Sequence, residues 1–198
     1  MTINGTIGNV SYDDERARAS AHPPVILTGK ILADQGEYPV GLILTRNNSA
    51  ELEPYQEVAD EVLATGDGTE TEFTGTLAEA PAEPGTVAIT DGVESFIDDG
   101  MGRLVGSASG SGTVNYKTGA VSVTFNTAVV DETDITAGYV TAIDGVLDET
   151  VDSAKTDSAT YIIHGSVRKD ALKVGAVAKD EPSTTLLGRL IKNGIFPE

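Results

Sequence analysis

Between residues 71 and 141, apolar and polar positions alternate in short runs broken by glycine-rich turns. The alternation predicts seven strands, at 71–77, 86–90, 93–97, 103–106, 112–116, 120–125 and 134–141, and strands this short at this spacing point to an antiparallel β-sandwich. In Val121, Val123 and Phe125 the period of two puts three apolar side chains on one face, with Ser122 and Thr124 on the other. Asp91-Gly92 stands between VAIT and VESF, which predicts a two-residue hairpin with positive φ at both turn positions.

On either side of this region the texture changes. The runs Val25-Ile26-Leu27, Val40-Gly41-Leu42-Ile43-Leu44 and Tyr161-Ile162-Ile163 are continuously apolar, which predicts strands buried on both faces. Near the end of the chain the period becomes helical. Leu186, Leu187, Leu190 and Ile191 form one stripe, Ser183 can cap it and Gly194 can supply a left-handed stop, so a helix is expected over 183–193. A shorter helical turn is expected over 169–174.

These readings predict a mainly β protein. A small α+β core made of two discontinuous stretches, 25–63 and 142–198, would carry the short C-terminal helix, and residues 64–141 would be an inserted antiparallel β-sandwich. Residues 1–24 differ again: they have no large apolar cluster, carry mixed charges from Asp13 to Arg18 and stop at Pro23-Pro24, the pattern of an arm. Within it, Ile3, Gly5 and Ile7 alternate with Thr2, Asn4 and Thr6, and such a segment can add as a strand to the edge of another chain's sheet.

Charge sharpens the division. The chain holds 31 acidic and 13 basic side chains, a net of −18, and residues 61–142 alone hold 13 and 2, a net of −11. So acidic a surface repels phosphate backbones and argues against direct nucleic-acid binding, while keeping a crowded protein dispersed. No apolar run approaches the roughly 20 residues of a membrane helix, and the first residues lack the charged and apolar regions of a secretory signal. A soluble protein made without export, with protein partners, is the expectation.

Candidate chemistry is thin. The chain has no cysteine, which excludes disulfides, thiol nucleophiles and thiolate metal sites. His22 and His164 are the only histidines; His164 follows an apolar strand and reads as a hydrogen-bonded residue at a strand end, with a general base as the alternative. The tract from Gly106 to Gly112 does not match G-x-S-x-G, and neither dinucleotide nor phosphate-loop glycine patterns occur. Asp98-Asp99-Gly100 offers oxygens to calcium but lacks the loop spacing and the distal glutamate. No catalytic residue, cofactor or metal is therefore expected, and the protein reads as a non-enzyme.

The flanking segments carry a family resemblance. Pro24-Val25-Ile26-Leu27-Thr28-Gly29-Lys30-Ile31-Leu32-Ala33 with Gly36-Glu37-Tyr38-Pro39-Val40-Gly41-Leu42-Ile43-Leu44, then Asp144-Gly145-Val146-Leu147-Asp148-Glu149 with Tyr161-Ile162-Ile163-His164-Gly165-Ser166-Val167, and an ending from Asp170 to Pro197, resemble lambda-type head decoration proteins of tailed bacteriophages. The acidic middle looks like a β-sandwich module inserted into several phage virion proteins, a departure from the short members.

The resemblance implies a homotrimer at local threefold positions on the outer surface of an expanded capsid, made in the host bacterial cytoplasm and clamping capsomers against DNA pressure. It also implies an arm that pairs with the major capsid protein. Thr2, Ile3, Asn4, Gly5, Thr6, Ile7, Gly8, Asn9 and Val10 are the candidate pairing residues. The competing reading is a phage surface adhesion or carbohydrate-binding module, with the sandwich tips touching host-surface glycans. A hydrolase using carboxylates in a cleft ranks last, and a pocket pairing His164 with a buried carboxylate and an exposed serine would revive it.

Overall fold

The computed structural model describes residues 16–175, 177–180 and 182–198. In chain order the strands are β1 (Val25–Lys30), β2 (Glu37–Tyr38), β3 (Ile43–Arg46), β4 (Leu52–Pro54), β5 (Glu57–Thr65), β6 (Glu72–Thr76), β7 (Ala88–Thr90), β8 (Ser95–Asp98), β9 (Arg103–Gly106), β10 (Ser111–Val114), β11 (Ala120–Thr124) and β12 (Asp134–Val140). There follow β13 (Gly145–Leu147), β14 (Val151–Asp152), β15 (Ser158–Val167), a 3-10 turn (Lys169–Ala171), β16 (Lys173–Val174), β17 (Lys179–Asp180), α1 (Thr184–Lys192) and β18 (Ile195–Pro197). At 46% strand and 7% helix the chain is mainly β.

Two sheets organise the molecule. One runs β1-β15-β13-β3-β4, with β18 joined in parallel to β15; the other, made wholly of antiparallel pairs, runs β5-β12-β7-β8-β9-β10-β11-β6 and nearly closes on itself. The second sheet occupies one uninterrupted stretch of chain between β4 and β13 of the first. At its seam Gly75 abuts the Leu63 side chain, and a Cβ there would sit 3.4 Å from the Leu63 Cβ.

The continuous apolar runs have a simple cause in the first sheet. Successive residues point to opposite faces, and each face has its own core. Ile43, Val146 and Ile162 join Leu186 and Leu190 of α1 on one side, while Leu44, Leu147 and Tyr161 join Ile31, Tyr38 and Leu52 on the other. Val25 and Leu27 depart from this expectation: β1 is the outer strand, and they are 46% and 45% exposed. Their apolar run reflects an edge that is uncovered among the described residues.

Helix α1 ends as its sequence predicts. The Ser183 Oγ accepts the Leu186 N–H at 3.1 Å, and Gly194 has φ +79°. Its apolar stripe is narrower than expected, since Leu186 and Leu190 are buried but Ile191 is 53% exposed. The turn expected over 169–174 stops at Ala171, and Lys173–Val174 is a short strand.

The eight-stranded sheet encloses Phe73, Leu77, Phe96, Leu104, Val121, Val123, Phe125, Ile135 and Tyr139. Phe125 packs edge-on against Phe73 and Phe96, with ring centroids 5.8 and 4.9 Å away. The seven strands read from the alternation all occur, within a few residues of their expected ends. An eighth, β5, was not anticipated, and it crosses the expected boundary at 63/64, belonging to this sheet from Glu57 onward. Its pairing with β12 is broken by two irregularities, and Asp60 has φ +57°, so no clean alternation survives in its sequence.

The turn at Asp91-Gly92 is also a correction. Thr90 pairs with Ser95, so four residues bridge the hairpin, and of the pair only Gly92 has positive φ, at +85°. The Asp91 Oδ1 accepts the N–H groups of Val93 and Glu94 at 2.9 and 2.7 Å, which sets the turn with a side chain instead of a second left-handed residue.

Candidate functional site

The candidate pairing residues Thr2, Ile3, Asn4, Gly5, Thr6, Ile7, Gly8, Asn9 and Val10 lie outside the described residues. What the structure places is the root from which they extend. Residues 17–22, expected to belong to the arm, are bonded into the six-stranded unit. Ala17 donates to Asp148 O at 2.9 Å, Ala19 donates to Ser166 O at 3.0 Å, and Arg168 donates to Ala17 O at 2.8 Å. Arg18 forms an antiparallel bridge with Val167, and Ala17 is fully buried in the core under α1.

His22 and Ser166 close this zipper reciprocally. The Ser166 N–H donates to His22 O at 2.9 Å, and the His22 N–H donates to Ser166 Oγ at 3.0 Å. The segment thus continues the line of β1 along β15. The break between the two is at Gly165, whose φ is +111° and where a Cβ would lie 2.6 Å from Pro24 Cα. Only glycine lets Pro23-Pro24 cross so close.

A half-buried charge pair holds the same root. The Asp148 side chain is 1% exposed and takes both Nε and Nη2 of Arg18, the Nε contact at 3.1 Å. Two parallel bonds to one carboxylate fix the guanidinium in direction as well as distance. In the sequence Asp148 stands in a segment that carries the family resemblance and Arg18 in a mixed-charge run, and neither context joins the two. The available signal was Asp148 directly after the apolar pair Val146-Leu147.

The two histidines, read separately from sequence, meet here. Their rings lie edge to face with centroids 5.0 Å apart, and the Phe196 ring stands 5.6 Å from His22 and 5.8 Å from His164. Gly194 makes room for them, since a Cβ on it would come within 2.5 Å of His164 Nδ1. His164 is therefore a packing residue between the N-terminal root and β18. Among the described residues no group of three histidines and carboxylates is placed to hold a metal ion.

The other singled-out motifs are absorbed by turns. Asp98 Oδ2 accepts Gly85 N–H at 2.6 Å, while Oδ1 accepts Gly100 N–H at 2.9 Å and the Tyr116 hydroxyl at 2.6 Å. In the tract from Gly106 to Gly112, the Ala108 and Gly110 N–H groups donate to Glu94 Oε1 at 3.1 and 2.7 Å. Glu94 was not singled out from sequence, although it directly precedes β8 in the same inward phase as Phe96 and Asp98.

Where the two sheets meet, Gln56 and Thr141 join the chain's two crossings. Thr141 N–H donates to Gln56 O at 3.0 Å, and its Oγ1 accepts Gln56 N–H at 2.9 Å. Arg189 of α1 reaches across, donating to the Tyr55 hydroxyl at 3.0 Å and lying 3.8 Å from Glu83. No helix among the described residues is long and apolar enough to cross a membrane. The chain matches no protein-family model, and no curated protein or solved structure matches it.

Proposed function

We propose that this protein is a non-enzymatic virion structural protein that decorates the outside of an expanded phage capsid, with the major capsid protein as its partner. In this reading it binds as trimers at local threefold positions and clamps neighbouring capsomers, and residues Thr2 to Val10 add as a strand to the capsid protein. The observation that carries the reading is the root of the N-terminal segment. A strand that holds a shell under tension needs an anchor, and here residues 17–22 are zipped to β15 by backbone bonds and pinned by the Arg18–Asp148 pair. Force on the segment would pass into the longest strand of the six-stranded sheet.

Many weak contacts suffice for cementing because each trimer engages several capsomers at once. The acidic eight-stranded unit would stand outermost, where its charge keeps particles apart.

The test mixes purified protein with expanded capsids stripped of decoration, and measures bound copies and capsid melting. The full chain should bind saturably and raise capsid stability. A version lacking residues 1–15, cut ahead of the anchored root so that the core is kept, should lose binding. Failure of the full chain to bind would overturn the reading.

A further inference from the structure

The junction between the two sheets carries a second feature, independent of the capsid reading. A cleft of about 210 Å³ is lined by Leu32, Gln35, Tyr38, Glu53, Gln56 and Glu79. A neighbouring cleft of about 370 Å³ shares Glu53 and Glu79 and adds apolar wall from Leu77, Ala78 and Ala80. The two carboxylates thus stand at the meeting point of one groove that runs between β4 and the segment following β6. Clefts between packed units are frequent ligand sites.

The polar groups in this groove are poorly matched to one another. Among the described residues no basic side chain forms an ion pair with Glu53 or Glu79. Among the described residues the only hydrogen bond to the Glu53 carboxylate comes from the neutral Asn47 amide, at 3.1 Å. Burial, and beyond it the charges of Glu79 and Glu51, push the Glu53 carboxyl above its ordinary range. Tyr38, 5% exposed, lines the same cleft, and its buried hydroxyl has no hydrogen-bond partner among the described residues. A buried hydroxyl without a partner costs free energy, and so do two carboxylates sharing a recess without a cation.

We propose that this groove binds an organic cation, an alkylammonium or alkylguanidinium group, whose head sits between Glu53 and Glu79 within reach of the Tyr38 hydroxyl. The chemistry of the walls selects this class. An ammonium head needs about three acceptors, which two carboxylates and a phenol oxygen supply. Its methylene stem needs apolar cover, which Leu32 on one side and Leu77 and Ala80 on the other provide. Calcium takes six to eight oxygens in a closed shell, and two carboxylates do not build one.

The test uses the full chain, labelled with nitrogen-15, titrated with cadaverine as a free diamine and with a blocked Gly-Lys-Gly peptide as a side-chain source. Sodium chloride at equal ionic strength and calcium chloride serve as comparisons. The amides of Gln35, Tyr38, Glu53, Gln56 and Glu79 should shift saturably with at least one organic cation. The affinity should fall at least fivefold in Glu53→Gln/Glu79→Gln, whose spectrum reports that it is folded, and measurably in Tyr38→Phe. Saturation by the peptide alone identifies a partner's side chain as the source, and saturation by the diamine identifies a free amine. Equal shifts with sodium chloride, shifts located elsewhere, or saturation by calcium alone would overturn the proposal.

Discussion

At Glu94 one carboxylate satisfies three backbone groups from two separate turns, the N–H groups of Ala108 and Gly110 on Oε1 and that of Asn126 on Oε2 at 2.8 Å. The side chain is nearly fully buried, so truncation strands all three donors away from water. Glu94→Ala should destabilise the protein by about 3 kcal/mol in urea unfolding, and Glu94→Gln, which keeps one acceptor, by less. Asp148 makes the same kind of commitment through a charge. Arg18→Ala leaves that carboxylate buried alone; because Arg18 is a third exposed, the loss should be about 2 kcal/mol, below the value for a wholly buried pair. Glu53 works in the opposite direction. Its folded-state carboxyl is raised by burial, so the folded protein holds that proton more tightly than the unfolded chain does. Its contribution therefore improves as pH falls through the raised folded value and levels off below the unfolded one. Glu53→Gln should be at least as stable as the parent at pH 7, and unfolding curves at pH 4 should show that advantage reduced.

Elements divide by whether their signal is local. Helix α1 was legible because its cap, stripe and stop all lie within its own residues, and Ser183→Ala should cost about 1 kcal/mol through the lost bond to the Leu186 N–H. Gly194→Ala should cost more, since it forces φ +79° on a side chain and drives a methyl into His164; a changed His164 ring signal in NMR would report that collision. The strands of the eight-stranded sheet were legible for the same local reason, an inward phase every second residue. Strand β5 was not, because its bulged pairing leaves it without a buried residue. The exposure of Val25 and Leu27 was hidden too, since only strand order decides which apolar run lies at an edge. The root of the N-terminal segment is the clearest such case. Ala17, Arg18 and His22 find their partners at Asp148, Ser166 and His164, far along the chain, and nothing in the spacing of either segment announces the match. The groove at Glu53 and Glu79 likewise comes from two segments that meet only when both sheets have formed.

The whole molecule keeps its two sheets on separate cores. The cluster within the eight-stranded sheet draws all its buried residues from 73–139, whereas the other two clusters draw theirs from the flanking chain, together with Val140 at the crossing. The Gln56 and Thr141 backbones are already paired, so a short turn can replace everything between them without moving either end. Residues 57–140 expressed alone should therefore give a dispersed NMR spectrum and one cooperative unfolding transition. The remainder, closed by Asn-Gly, should keep the His22–His164–Phe196 ring contacts. Charge gives the first piece a signature of its own. It carries 15 acidic and 2 basic side chains, a net of −13, and like charges at this density oppose the compact state until salt screens them. Its melting temperature should rise between 10 and 150 mM salt by more than that of the remainder, whose net charge is only −5. A collapsed spectrum for the isolated piece would mean that its sheet depends on the neighbouring one, through Arg189 and Glu83 or through the paired crossing. In that case the two cores, though separate in space, would be a single unit in folding.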